Sequence, residues 1–174
     1  MERGLVLVAT GEGKGKTTAA LGTALRALGQ GLKVAFIQFI KNQETGEGLF
    51  LADYAARRPE SFFYRRLGLG FFKGQPKPED LAKATEALAL ARELAAADYD
   101  LLVLDEICVA QAWGLIKTAE VVRLIETRRP GLHIFLTGRG AAPEIIELAD
   151  TVTEMKPVKH AYERGIPARR GLEF

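Results

Sequence analysis

The sequence predicts an α/β fold, a mostly parallel sheet of about six strands with helices on both faces. Three observations carry this. Consecutive apolar residues in Leu5–Val8, Lys33–Ile40 and Leu101–Leu104 lack the alternation of a half-exposed strand and fit strands buried on both faces. Runs rich in alanine and leucine, Ala19–Leu28 and Pro78–Ala97 foremost, alternate with them as helices. The first strand passes through Gly11, Gly13 and Gly15 to Lys16-Thr17-Thr18 and straight into the first helix, which is the order of a P-loop. The fold expected is therefore P-loop NTPase-like.

The 174 residues suit one domain spanning the whole chain. Hydrophobic residues make up 48%, enough for a core, and charged residues 26%, an ordinary surface. Net charge is only +2, and arginines fall in pairs (Arg57-Arg58, Arg65-Arg66, Arg128-Arg129, Arg169-Arg170) instead of one basic stripe. That pattern argues against a nucleic-acid partner. Cys108 is the single cysteine, so no intrachain disulfide can form, as suits a reducing compartment. The N-terminal apolar run is too short for a membrane span and is needed as a strand. A cytoplasmic location with no membrane attachment is expected.

In the stretch Leu5–Thr18 (LVLVATGEGKGKTT) the glycines let the backbone curl until several N–H groups point at one anion. The helix N-terminus adds partial positive charge at the same place. Lys16 would neutralise phosphate oxygens, and the Thr17 hydroxyl would sit on Mg²⁺. A triphosphate site is the reading. A dinucleotide fingerprint fails in either frame, because its last glycine position falls on Lys16 or on Thr18. Thr10 stands where the general P-loop has its first glycine.

The first helix is expected over Thr17–Leu28, stopped by Gly29-Gln30-Gly31. Spacing alone makes Arg26, far along it, a surface residue. Gln38 interrupts the second strand and demands a buried partner. With Lys41 it lies at the carboxyl end of a strand, where open α/β sheets bind ligands. Leu49–Arg57 reads as a short helix and Phe62–Arg65 as a third strand. Phe71-Phe72 sits in a segment rich in glycine and proline. Either one ring plugs the core, or the pair is an aromatic flap over a flat apolar ligand. Pro78 suits the first turn of the longest helix.

Leu101–Leu104 ends in Asp105-Glu106, and an acid there can orient Mg²⁺ beside a P-loop. Successive strand residues point oppositely, so the motif does not choose between the two acids. Cys108–Leu115 reads as a helix, with the cysteine as inert core. Thr118 can cap a helix running to Arg128. His133–Leu136 is a strand ending at Thr137-Gly138-Arg139-Gly140, where Arg139 could meet phosphate or a substrate carboxylate. His133 reads as structural. Pro143–Ala149 is a helix and Thr151–Lys156 a final strand, and the tail Pro157–Phe174 is expected to pack, extended, over a neighbouring surface.

Together these stretches resemble the ATP:corrinoid adenosyltransferases of bacterial cobalamin synthesis and salvage. The resemblance rests on TGEGKGKTTAALG, VAFIQFIK, YDLLVLDEI, LTGRG and ADTVTEMKPVKHAYERG, and covers nearly the whole chain. It also accounts for Thr10. It implies transfer of the 5′-deoxyadenosyl group of ATP to the Co(I) of a reduced corrinoid, with triphosphate as leaving group. Gly11, Glu12, Gly13, Lys14, Gly15, Lys16, Thr17 and Thr18 would then cradle the polyphosphate. Thr17 and Glu106 would hold Mg²⁺, Arg26 would stand near the nucleotide, and Phe71 would face the corrinoid. Lys73 departs from the family tryptophan, and Cys108 stands where many relatives have asparagine. An N-terminal helix of some relatives would be missing or short. A homodimer and a reductase or other electron donor for cobalt are implied. Two other readings compete: a kinase or ATPase acting at the γ-phosphate, and a nucleotide-dependent corrinoid-binding module without turnover. No N-K-x-D motif supports a GTPase.

Overall fold

All five residues of β2 (Val34–Gln38) and all five of β4 (Leu101–Asp105) are buried. Strands without an exposed position belong in the middle of a sheet covered on both faces. In this computed structural model, which describes residues 3–70 and 74–174, the two lie side by side and pair Gln38 with Asp105. β1 (Val6–Thr10), β3 (Phe62–Arg66), β5 (His133–Thr137) and β6 (Thr151–Glu154) complete a six-stranded sheet in the order β3-β2-β4-β5-β1-β6. Every neighbouring pair is parallel, so the expected mostly parallel sheet is wholly so among the described residues.

Period-two alternation divides the core. Val34, Phe36 and Val103 face α1 (Lys16–Gly29) and α2 (Gly46–Arg57), against Ala20, Ala24 and Leu51. Ala35, Ile37, Leu102 and Leu104 face the other layer. That layer consists of α3 (Pro78–Ala96), α4 (Ile107–Ala112), α5 (Thr118–Thr127) and α6 (Pro143–Leu148). Ala84, Ala87, Leu88, Ala91, Leu94 and Ala95 form the buried stripe of α3 at three- and four-residue spacing. Its small side chains let the helix lie close to the sheet. Among the described residues no helix is long and apolar enough to cross a membrane.

Several boundaries move for local reasons. The second helix begins at Gly46 instead of Leu49, because Thr45 caps it by accepting the Gly48 N–H at 3.3 Å. Thr118 is a first-turn residue and not the cap; Lys117 takes that place, its N–H bonded to Glu120 Oε2 at 3.4 Å. The fourth helix stops at Ala112, where the chain turns through Gly114 at φ 72°. β6 ends at Glu154, two residues early, since the Met155 carbonyl is taken by the Gly13 N–H at 2.7 Å. His133 is structural as expected, its Nδ1 accepting the Leu5 N–H at 3.0 Å. Burial pushes the Cys108 thiol up to about 12, which leaves it inert at neutral pH.

After β3 the chain is tied to the end of β2. Leu67 N–H bonds Gln38 O at 3.0 Å, and Gly70 N–H bonds Ile40 O at 2.8 Å. Between them a β-carbon on Gly68 would stand 2.0 Å from the Ile40 carbonyl carbon. Gly68→Ala is therefore expected to cost about 2 kcal/mol or more of stability. Urea unfolding followed by circular dichroism checks this. An unchanged midpoint would mean the strand end shifts freely and the contact is not tight.

Candidate active site

The loop between β1 and α1 takes its shape from backbone needs. Gly15 holds φ 113° at the start of the helix, a conformation rare for side-chain-bearing residues. Gly13 has no room for a β-carbon, which would meet the Met155 carbonyl at 2.8 Å. Thr10, by contrast, is the last residue of β1 and pairs in register with Glu154. An extended residue needs no glycine, which explains its departure from the general pattern. Lys16 opens α1 and reaches back, donating to Gly11 O and Gly13 O at 2.6 Å each. Desolvation pulls its pKa below the ordinary lysine value.

Asp105 is the hub beside the loop. It is fully buried at the end of β4, and its Oδ1 accepts from Thr17 Oγ1 at 2.9 Å and Thr137 Oγ1 at 2.7 Å. Its Oδ2 accepts from Gln38 Nε2 at 3.0 Å and pairs with Lys41 Nζ at 3.1 Å. Gln38 thus has the partner its burial demanded, and its Oε1 accepts the Tyr64 hydroxyl at 2.7 Å. Lys41 also donates to Thr17 Oγ1 at 3.0 Å and approaches Glu47 Oε1 at 3.3 Å.

Glu106, the next residue, adopts φ 64°, a left-handed conformation uncommon outside glycine. Its N–H bonds Thr137 Oγ1 at 3.0 Å, and its side chain lines the cavity. Burial and the neighbouring Asp105 raise its pKa, against the pull of Lys41, Lys16 and Arg139. Both acids therefore lie at the site: Asp105 touches Thr17, and Glu106 lines the cavity.

The tail Pro157–Phe174 closes the other side. It carries a 3-10 turn at Ala161–Arg164 and returns over the loop, where Lys14 Nζ donates to Leu172 O at 2.7 Å and pairs with Glu173. Loop and tail border an open cleft of about 870 Å³ whose lining includes Glu12, Thr18, Glu106, Arg139, Tyr162 and Phe174. Arg139 and Glu12 pair at 3.1 Å at its rim. Arg26, in the last turn of α1, is exposed and outside the lining, as spacing alone had suggested. Phe71 and Lys73 lie outside the described residues.

The donors available to a metal are a hydroxyl and carboxylates, hard oxygens of the kind Mg²⁺ takes. Among the described residues no cluster of three or more acidic, histidine or cysteine ligands occurs. A metal whose remaining ligands are phosphate and water fits that set, and Thr17 with Asp105 already attracts one cation, the Lys41 ammonium.

Lys41 is the functional candidate that sequence reasoning left without a role, and Thr137 was not singled out by chemistry at all. The one signal for either was position at the carboxyl end of a strand.

A parallel sheet, a glycine loop opening a helix with Lys-Thr, and a buried acid on that threonine define a P-loop nucleotide-binding protein. Solved structures share the fold. KaiC-like protein PH0186 from Pyrococcus horikoshii OT3 matches with TM-score 0.57 and 20% identity, over 91% of this chain and 76% of that one. The flagellar accessory protein FlaH from Methanocaldococcus jannaschii matches with TM-score 0.54 and 14% identity, over 88% and 72%. The particular family comes from sequence. The profile described as ATP:corrinoid adenosyltransferase BtuR/CobO/CobP matches residues 2–174. The corrinoid adenosyltransferase of Pseudomonas aeruginosa is 46% identical, over 99% of this chain and 85% of that protein. That of Escherichia coli K12 is 40% identical, over 99% and 87%. The chain belongs to the ATP:corrinoid adenosyltransferase family.

Proposed function

We propose that this protein transfers the 5′-deoxyadenosyl group of ATP to the Co(I) centre of a reduced corrinoid and releases triphosphate. The observation that carries the reading is the family match over residues 2–174, which takes in the whole loop and the Asp105-Glu106 strand end. In the reaction the cobalt electron pair forms the Co–C5′ bond, and the C5′–O bond electrons leave on triphosphate. Because the nucleophile arrives reduced, the protein's tasks are alignment and neutralisation of the leaving group. Residues Gly11 to Thr18 would cradle the polyphosphate, with Lys16 inside the loop as its principal cation. Thr17, with Asp105 and Glu106, would hold Mg²⁺, which supplies charge neutralisation on the triphosphate. Arg139, poised on Glu12 at the rim, is available to phosphate or to a corrinoid side chain. Phe71 keeps its proposed place facing the corrinoid, and Arg26 contributes nothing to the cavity of its own chain.

A homodimer, a cytoplasmic location and an electron donor for cobalt complete the proposal by family likeness. Anaerobic incubation with ATP, Mg²⁺ and chemically reduced cobalamin tests it. Loss of Co(I) absorbance with one triphosphate per adenosylated corrinoid is expected. ADP and phosphate would instead assign the chain to γ-phosphate chemistry, and binding without product would assign it to corrinoid carriage.

A further inference from the structure

Lys41 lies outside the glycine loop, on the segment that leaves β2 directly beneath Asp105, where Phe39 N–H bonds the Asp105 carbonyl at 3.0 Å. Its side chain is only 18% exposed, and its ammonium faces three oxygens: Thr17 Oγ1 at 3.0 Å, Asp105 Oδ2 at 3.1 Å and Glu47 Oε1 at 3.3 Å. Two of its three partners are the oxygens offered above to the divalent ion. An ammonium and a divalent cation held at the same two oxygens repel each other, so each weakens the other's hold there. Glu47, in the first turn of α2, gives the ammonium a second berth.

We propose that Lys41 is a tethered cation that competes with the metal: it clasps Thr17 to Asp105 in the metal-free protein and is exchanged onto Glu47 and the triphosphate when the metal–nucleotide complex enters. The proposal rests on the metal–nucleotide reading of the site. It has a consequence for order of binding. Metal alone must expel a paired ammonium and offers it nothing, whereas metal with triphosphate supplies a new anion for it. The ion is therefore taken up with the nucleotide and hardly at all by itself.

The test is a titration of free Mn²⁺, read by its electron paramagnetic resonance signal, on the full chain with and without a non-reacting ATP analogue. Lys41→Met and Lys41→Gln remove the charge at similar length. Without nucleotide, both are expected to bind Mn²⁺ about tenfold or more tightly than the unaltered protein. The gap should narrow once the analogue is present. Thermal unfolding gives a second readout. Without metal the variants should melt lower, because the Asp105 carboxylate has lost its cation, and Mn²⁺ should raise their midpoint more than that of the unaltered protein. Equal Mn²⁺ affinity in variants and unaltered protein, or equal metal-induced shifts in melting, would overturn the competition. Failure of the unaltered protein to bind Mn²⁺ even with the analogue would instead overturn the metal-site reading beneath it.

Discussion

Lys16→Ala is expected to lower kcat/KM for adenosyl transfer by about three orders of magnitude or more. The size follows from what the side chain does. In oxyanion-type sites one preorganised donor is worth about 3–4 kcal/mol of transition-state stabilisation, and Lys16 is proposed as the loop's principal one. Its ammonium sits inside the loop with the residue only 8% exposed, held by two backbone carbonyls. Those two carbonyls hold the ammonium within the loop that is proposed to cradle the triphosphate, where charge builds on the leaving oxygen. Lys16→Arg is not a rescue, since the broader guanidinium does not fit a slot shaped by the Gly11 and Gly13 carbonyls. Single-turnover loss of Co(I) absorbance measures the effect, with thermal unfolding alongside to confirm that the variant is folded. Turnover within a few-fold of the unaltered enzyme would remove the loop from the chemistry.

The second large effect concerns Asp105. Asp105→Ala strips a fully buried carboxylate from the Thr17 and Thr137 hydroxyls, the Gln38 amide and the Lys41 ammonium. Breaking a buried pair from one side costs roughly 3–5 kcal/mol because the partner charge is left uncompensated. Against a total stability of about 5–15 kcal/mol, that is enough to leave the protein marginal. Asp105→Asn separates structure from chemistry. It keeps an acceptor oxygen and the shape, so stability should fall less, while the divalent ion loses an anionic neighbour. The expected pattern is a large drop in urea midpoint for the alanine variant. The asparagine variant should show a modest drop but a raised metal requirement. An alanine variant with an unchanged midpoint would mean that water replaces the carboxylate and that the hub is not structural.

What the chain disclosed by reading alone was what is contiguous. Strand, loop, lysine and helix occupy one short stretch, and local geometry follows from glycine and helix-end chemistry whatever else the molecule does. The acid pair at the end of β4 was equally visible, yet which carboxylate meets Thr17 depended on a contact 88 residues apart in sequence. Gln38 announced its need for a partner, because buried amides do not stay unsatisfied, but the Gln38–Asp105 register that supplies one is a property of the sheet. Lys41 has the same origin: its reach is set by how β2 lies against β4. Strand order was hidden because nothing local says that β5 enters between β4 and β1. The tail was expected to lie on a surface; that the surface is the loop, 158 residues away at the Lys14 contact, was not readable.

The lodging of β5 between β4 and β1 ties binding to the opening of the middle of the sheet. Thr137, the last residue of β5, holds the Asp105 carboxylate on one side and the Glu106 N–H on the other. A strand paired along both edges has no free edge from which to fray, and its amides are expected to exchange only through larger openings of the sheet. A ligand held through Thr17 and Asp105 is therefore held through the middle of the sheet, and its free energy of binding adds to the cost of opening it. Amide protons at the heart of the sheet, remote from any nucleotide contact, thereby become reporters of whether the site is filled.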